Sequence, residues 1–252
     1  MRAQSDNIKF YDDFMVIVTT GEMATRNHCH YAMELVVGLD SPFIINQTPS
    51  KSTRARAVLI RSNTAHCISM GKGLSVSVLI EPQSELGGDL AMAFNRSAHV
   101  VLGENATKEL IAYFSRYLKH HYDAGEIASS LSEIICNGKK ESACPQLERI
   151  RNILFIINRD EENSSSDFKR LVETSGLSAS RLMHYFKEQT GLTIRKYIKW
   201  RRVLRAIKFI SQGYKIKDAS SKSRFSDAAH FNRTFVSAFG ANPSKVFGKL
   251  ER

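Results

Sequence analysis

The sequence predicts an α+β chain: a β-rich barrel or sandwich first, a helical hairpin behind it, and an all-α part with two helix-turn-helix motifs last. Three observations predict this order. Between Ile8 and Ile80, short β-rich runs alternate with turn-prone clusters. From Glu148 onward, apolar residues recur at helical spacing instead. Within that second part, Leu182-x3-Phe186-x4-Gly191 returns as Phe231-x3-Phe235-x4-Gly240, with all three anchors offset by 49 residues. Chance rarely keeps three anchors in register, so one supersecondary unit is used twice.

Composition bounds the rest. The 252 residues are enough for two domains, and 42% apolar content is globular rather than disordered. The chain has no run of 18 apolar residues, and Met1 to Phe10 is polar. Neither a membrane span nor a secretory signal is therefore expected, and the expected location is cytoplasmic. Cys29, Cys67, Cys136 and Cys144 show no framework spacing and read as reduced thiols. Charge is unevenly placed. Residues 148–252 hold 22 of the 36 Lys and Arg but only 10 of the 25 Asp and Glu, a net of +12, while the rest of the chain nets −1. A basic part beside a neutral one expects a polyanion for the basic part only.

The β-rich runs are MVIVTT, MELVVGL, PFIINQ, RAVLIR and LSVSVLI. Among them lies Gly21-x6-His28-x-His30-x3-Glu34, with His66 on a later strand. On a strand, residues 28, 30 and 34 would share one face. Two imidazoles and a carboxylate, joined by a third imidazole from a neighbouring strand, suit a divalent transition metal. The opposite face, with Cys29, Tyr31, Met33, Leu35 and Val37, is more apolar. Were it the core, the histidines would lie at a barrel mouth or in solvent. A metal site, a polar effector pocket and no ligand role all remain open at this stage.

Glu81-Pro82 ends the strand region, Ser84 to Gly88 reads as a loop, and Leu90 to Phe94 as a short helix. Asn105 to His121 and Glu126 to Cys136 form two amphipathic helices separated by Gly125, a helical hairpin. Its apolar stripe suits packing on the barrel or self-association equally. Asn137 to Pro145 reads as a linker with a breaker at each end. Glu148 to Asn158 is a supporting helix, and Asp160 to Asp167 an acidic, serine-rich loop.

The first motif runs from Phe168 to Gly191. Gly176 can take the left-handed conformation of a tight turn, and Ser178 can cap a second helix with Leu182 and Phe186 inside and Ser180, Arg181, Met183, His184 and Lys187 outside. Thr193 to Gln212 is a joining helix of about 30 Å, close to the roughly 34 Å between successive major-groove faces. Arg195, Lys199 and Arg202 lie off its apolar arc, available for phosphate.

Over roughly Glu148 to Arg252 the chain resembles the AraC/XylS family of bacterial transcription regulators. The resemblance rests on Ser178, Leu182, Phe186, Lys187 and Gly191, then Tyr197, Arg201 and Ala206, then Phe231, Arg233, Phe235, Gly240, Pro243 and Ser244. It implies a sequence-specific regulator of double-stranded DNA, an activator as most relatives are, with RNA polymerase as a partner, a homodimer through N-terminal helices, and a cupin-like sensor domain. It puts Ser180, Met183 and His184 toward base edges, with Arg181 the best donor nearby. In the second motif Ala228 and Ala229 stand at the leading positions, leaving Asn232 and Arg233 as reachable polar groups. The first motif should then read sequence and the second mainly grip backbone. The segment before the second recognition helix departs from the family. Ala219, Ser220 and Ser223 fill places usually apolar, and Arg224 replaces the turn glycine.

The His28/His30/Glu34/His66 pattern resembles the cupin metal signature, with Asn63 in a turn place usually held by glycine. The expected organisation is a sensor and dimerisation domain over 1–138, a linker over 139–146 and a DNA-binding domain over 147–252. The expected input is a small-molecule effector or a divalent transition metal. The competing function is a cupin-type metal enzyme carrying a regulatory DNA-binding domain. Neither a glycine-rich phosphate loop nor a Gly-x-Ser-x-Gly elbow accompanies it, so no enzyme is expected.

Overall fold

The computed structural model of the protein describes residues 7–48, 51–95, 97–140, 145–159 and 167–247. The strands are β1 (Ile8–Phe10), β2 (Phe14–Thr20), β3 (Met23–Ala24), β4 (Met33–Gly38), β5 (Phe43–Thr48), β6 (Lys51–Ala55), β7 (Ala57–Ile60), β8 (Cys67–Met70), β9 (Leu74–Ile80) and β10 (His99–Val101). They form a six-stranded sheet, β1-β2-β9-β4-β7-β10, and a four-stranded sheet, β3-β8-β5-β6. The arrangement is cupin-like, but the strands divide into two sheets instead of closing one ring. All five expected strand runs are present. The strands that sequence reading passed over are the short ones at or near sheet edges.

Every residue of β4 is buried, which the two-faced reading of that segment had not allowed for. The reason is position. On one face Met33, Leu35 and Val37 pack with Leu59, Val78 and the helices behind the sheet. On the other, Val36 meets Phe43, Ile45, Ile60 and Ile68 between the two sheets. A central strand covered on both sides reads as a continuous apolar run.

The helices behind the sheet are α1 (Glu85–Ala91), α2 (Glu104–Tyr117) and α3 (Ala124–Cys136). The expected Ser84–Gly88 loop is mostly the first turns of α1. Ser84 is its N-cap, its hydroxyl accepting from Gly87 N at 3.0 Å, and a 3-10 turn, Met92–Phe94, follows. Asp123 and Glu126 close a capping box that starts α3. Leu110, Phe114, Ile127 and Leu131 are wholly buried in the same cluster as β4, so the hairpin's stripe is spent on the sheet. His121, expected on that stripe, lies beyond the end of α2 and is exposed. Part of the expected linker, residues 141–144, and most of the acidic loop, 160–166, lie outside the described residues.

The second half comprises α4 (Pro145–Arg159), α5 (Asp167–Ser175), α6 (Ala179–Thr190), α7 (Ile194–Ser211), α8 (Ile216–Lys222), α9 (Ala228–Phe239) and α10 (Pro243–Phe247). The two helix-turn-helix units are α5–α6 and α8–α9, joined by the 18-residue α7. Leu182 and Phe186, and their repeats Phe231 and Phe235, are almost fully buried. Ala219, Ser220 and Ser223 are buried too, so they do occupy core places, with small side chains.

The two halves are not beads on a string. Met15, Tyr31, Ala32 and Leu79 of the sheet domain belong to the same buried cluster as Ile150, Leu154, Tyr197 and Trp200. Tyr31 meets Tyr197 edge to face at 5.1 Å. Gln83 Nε2 donates to Gln189 O at 2.8 Å, and Arg151 Nε donates to Gln83 O at 2.6 Å.

Candidate metal centre and nucleic-acid interface

Four side chains meet at the edge of the sheet domain facing the helical half. His28, His30, Glu34 and His66 are all buried, and one ligand-type atom from each lies within 4.8 Å of every other. The structure brings the expected set together by a different route from the expected one. Only Glu34 is on β4, and the segment before Met33 is not strand. His28 instead pairs with His66 as an isolated bridge, each N–H donating to the other's carbonyl at 2.9 Å. His30 is placed by its loop, whose carbonyl accepts from Asn63 N at 2.8 Å. Asn63 has a φ of 57°, as its glycine-like place in the turn requires.

Backbone carbonyls fix the tautomers. His28 Nδ1 lies 2.9 Å from Arg26 O, His30 Nδ1 3.0 Å from Ala32 O, and His66 Nδ1 2.9 Å from Thr64 O. A carbonyl only accepts, so each Nδ1 carries a proton, and in the neutral ring each Nε2 keeps a lone pair for an ion. Two of those Nε2 atoms, on His30 and His66, lie 3.3 and 3.2 Å from the same Glu34 oxygen. Lone pairs facing a carboxylate repel unless a cation sits among them. Without a metal that cation is a proton. Burial pushes Glu34 up, but hydrogen bonds from His30 and His66 more than offset it and hold the carboxylate well below its usual range. Burial lowers His66, and the Glu34 bond overcomes that to raise it. His28 is pushed down to about 4, by burial first and by His66 second.

Ligand atoms about 2.1 Å from one ion stand roughly 3.0–4.2 Å apart, so a small contraction of this cluster closes a first shell. Three neutral imidazoles and one carboxylate, each imidazole oriented by a carbonyl, fit a divalent transition metal. The centre is roofed by the helical half. Trp200 of α7 stacks on His30 at 5.7 Å with 19° between planes, and Phe239 of α9 lies 5.9 Å away.

The two recognition helices are built alike. Ser178 accepts from Arg181 N at 3.4 Å to start α6, and Asp227 accepts from His230 N at 2.6 Å to start α9. Ser180, Arg181, Met183, His184 and Lys187 are exposed on α6, and Asn232 and Arg233 on α9. Between the helices runs a cleft of about 520 Å³, whose lining is largely apolar (Phe168, Leu171, Met183, Ile198 and Phe225 among others) with Arg195, Lys199, Arg202 and His230 beside it. The α7 cations therefore face the space between the two recognition helices. Arg202 is half-buried, its Nη1 donating to Arg224 O at 3.5 Å, so it braces the second turn as well. His230 was not singled out from sequence. Its signal in the sequence is a polar residue directly after Ala228-Ala229, in the first turn of α9.

Arg224 has a φ of 61°, the left-handed value its place in the turn suggested. Such a conformation costs a non-glycine residue about 1 kcal/mol. Arg224→Gly should raise the unfolding free energy by about that much, since the Arg202 bond is to backbone and survives. Urea titration of the two proteins checks it. No gain would mean that guanidinium contacts offset the strain.

Residues 171–249 match a protein family described as a helix-turn-helix domain. Two curated relatives, the HTH-type transcriptional activators RhaR of Pectobacterium atrosepticum and of Pectobacterium carotovorum subsp. carotovorum, are each 28% identical over 103 residues. The match covers 40% of this chain and 36% of each relative, so the chain spans about a third of the relatives' length. Among solved structures, ToxT from Vibrio cholerae O395 is 13% identical with a TM-score of 0.61, over 98% of this chain and 99% of that one. ToxT from Vibrio cholerae with an unsaturated fatty acid bound is 16% identical with a TM-score of 0.58, over 95% and 96%. These structures share the fold from end to end. No described helix is long and apolar enough to cross a membrane.

Proposed function

We infer, from a chain that belongs with the AraC-family regulators through its double helix-turn-helix half, that this protein is a sequence-specific DNA-binding transcription activator whose input is a divalent transition metal ion. The observation that carries the DNA reading is the pair of in-register recognition helices with Arg195, Lys199 and Arg202 between them, in the half that holds all the excess positive charge. In this reading α6 reads bases through Ser180, Arg181, Met183 and His184, with Lys187 beside them. Arg195, Lys199 and Arg202 hold phosphates, and Asn232 and Arg233 anchor α9.

The ion would be held by His28, His30, Glu34 and His66. A bound divalent metal supplies the positive charge that four converging donors lack. A small organic effector between the halves is the alternative input. The cleft there, walled by Asp13, Glu81, Trp200 and Arg201, is about 170 Å³. That is below the roughly 300–1,000 Å³ of ordinary small-molecule sites, which favours the ion. A metal enzyme is disfavoured by the roof. A catalytic metal keeps a coordination position open to substrate, whereas here four protein donors converge beneath Trp200 and Phe239.

The sensor domain is taken as 1–138, the linker as 139–146 and the DNA-binding domain as 147–252, in the cytoplasm. RNA polymerase contact and homodimerisation belong to the same reading.

The test uses the full chain and a duplex selected by it from a random-sequence library, beside a scrambled duplex. Arg181→Ala or His184→Ala should each cost about 1–3 kcal/mol on the selected duplex and less on the scrambled one. Arg233→Ala should weaken both by similar factors and lower the salt slope by about one. Equal loss of discrimination from Arg181→Ala and Arg233→Ala would refute the division of labour. Failure to bind any duplex would refute the DNA reading itself.

A further inference from the structure

A helix leaves its last carbonyls without intrahelical partners. In both recognition helices the sheet domain supplies some of those partners. At the end of α6, Asn63 Nδ2 donates to Thr190 O at 3.2 Å and Gln83 Nε2 to Gln189 O at 2.8 Å. At the end of α9, Arg26 N donates to Gly240 O at 2.8 Å. The C-caps are Gly191 and Gly240, the repeated glycines of the two motifs, both left-handed with φ of 72° and 65°. Both also permit close approach. A Cβ on Gly191 would stand 2.9 Å from Asn63 Nδ2. One on Gly240 would stand 2.7 Å from His28 Nδ1 and 2.9 Å from Arg26 N, and would overlap Arg26 O.

Two of the three gripping segments, those of Arg26 and Asn63, are the segments that carry the histidines, while Gln83 follows β9. Arg26 is two residues before His28, and its carbonyl is the group that orients His28 Nδ1. Asn63 is three residues before His66, and its N–H holds His30 O. His28 and His66 are themselves bridged. An ion bound by His28, His30 and His66 would therefore tie together the loop that holds α9 and the loop that holds α6. Trp200 and Phe239, packed on His30, add a third contact from α7 and the last turn of α9. The grip is at the C-terminal ends only. Arg181, Met183 and His184 on α6 and Asn232 and Arg233 on α9 stay exposed.

We propose that the His28/His30/Glu34/His66 centre is the keystone of a clamp that sets the spacing of the two recognition helices, so that metal loading strengthens binding to specific DNA. This rests on the metal reading given above. The coupling is reciprocal, so specific DNA must tighten the ion by the factor with which the ion tightens DNA.

The experiment takes the full chain with Zn²⁺ and Co²⁺ as the ions and the selected duplex as DNA. Co²⁺ absorption reports binding and its donor set directly, and Zn²⁺ titration gives stoichiometry. Zn²⁺ should tighten the selected duplex about tenfold, and the duplex should tighten Zn²⁺ about equally. Gly240→Ala keeps all four ligand residues but crowds Arg26 O and His28 Nδ1 as it opens the clamp at α9, so its DNA response is compared at an ion concentration that Co²⁺ absorption shows to be saturating. Asn63→Gly combined with Gln83→Ala removes both side-chain grips on α6 while keeping at position 63 a residue that tolerates the turn, and it covers the case in which Gly240→Ala fails to fold. The α6 variant should bind one ion as tightly as wild type, and Gly240→Ala should bind one ion at saturation, yet both should lose most of the tenfold response of DNA affinity to the ion. An ion that binds wild type but leaves DNA affinity unchanged or weaker overturns the clamp alone. So does an undiminished response in both variants. A chain that binds no ion removes the metal reading and the clamp with it.

Discussion

Zn²⁺ in about thousandfold excess over its dissociation constant should stabilise the wild-type chain by about 4 kcal/mol, and Glu34→Ala should abolish that gain. For a chain of this size the gain corresponds to a thermal shift of about 10 °C. The effect is large because the ion answers four buried donors at once. In its absence two imidazole lone pairs and a carboxylate crowd within 3.3 Å and must share protons. Glu34→Ala removes the only anionic ligand and leaves His30 and His66 without a partner on Nε2. His30→Ala should behave similarly. Cys29→Ser is the control, since Cys29 is an exposed thiol between two of the ligands and a plausible adventitious site for zinc. Thermal scans of the four proteins, each with zinc and with chelator, decide the matter. A shift that survives Glu34→Ala and vanishes in Cys29→Ser would place the ion on the surface and end the case for a buried centre.

The recognition helices were legible because their anchors repeat. Phe186 and Phe235 are buried in equivalent places, and the 49-residue offset is visible in the letters. The strain at Arg224 was legible for a related reason, since a turn position that calls for positive φ calls for it whatever residue stands there. The ligand set was legible through residue type, but its geometry does not come from strand parity. Strand parity put residues 28, 30 and 34 on one face, whereas β4 starts only at Met33 and the histidines are placed by carbonyls of Arg26, Ala32 and Thr64. Backbone bonds of that kind leave no periodic trace. β6 escaped because KSTRA has no apolar alternation. The helix at Glu85 escaped because its glycines argue against helix. Gly87 is needed there, since a Cβ would overlap Glu81 O. Least legible was the union of the two halves. Apolar periodicity marks Tyr197 and Trp200 as buried without naming Tyr31 and His30 as what covers them, and the extent of that union makes pH a handle on it.

The handle is Glu81. It directly follows β9, half-buried on the wall of the cleft between the halves, where the Tyr197 hydroxyl reaches both its Oε2 at 3.4 Å and Asn158 Oδ1 at 3.2 Å. Its other oxygen, Oε1, has no hydrogen-bond partner among the described residues. Burial therefore dominates and pushes the carboxyl up to about 7, while the Tyr31 hydroxyl and the Arg201 charge pull the other way and Asp13 adds to the rise. The sign follows from proton counting. Between the unfolded value near 4.5 and the folded value near 7, the folded chain keeps a proton that the unfolded chain has lost. Stability from this group is thus fully present below about 4.5, falls as pH rises through 7, and levels off above. A shift of about two and a half units makes the loss about 3 kcal/mol, as an upper bound. Asp13 is also raised, chiefly by burial and then by Asp12, and acts in the same direction. Glu81→Gln keeps the shape and removes the titration. Urea midpoints at pH 5, 6, 7 and 8, with chelator present throughout, should fall with pH in the wild type and fall much less in the variant. The difference between the two curves reports Glu81 together with its coupling to Asp13. Parallel curves would mean that water reaches the carboxyl and that the halves open around it more readily than their packing implies.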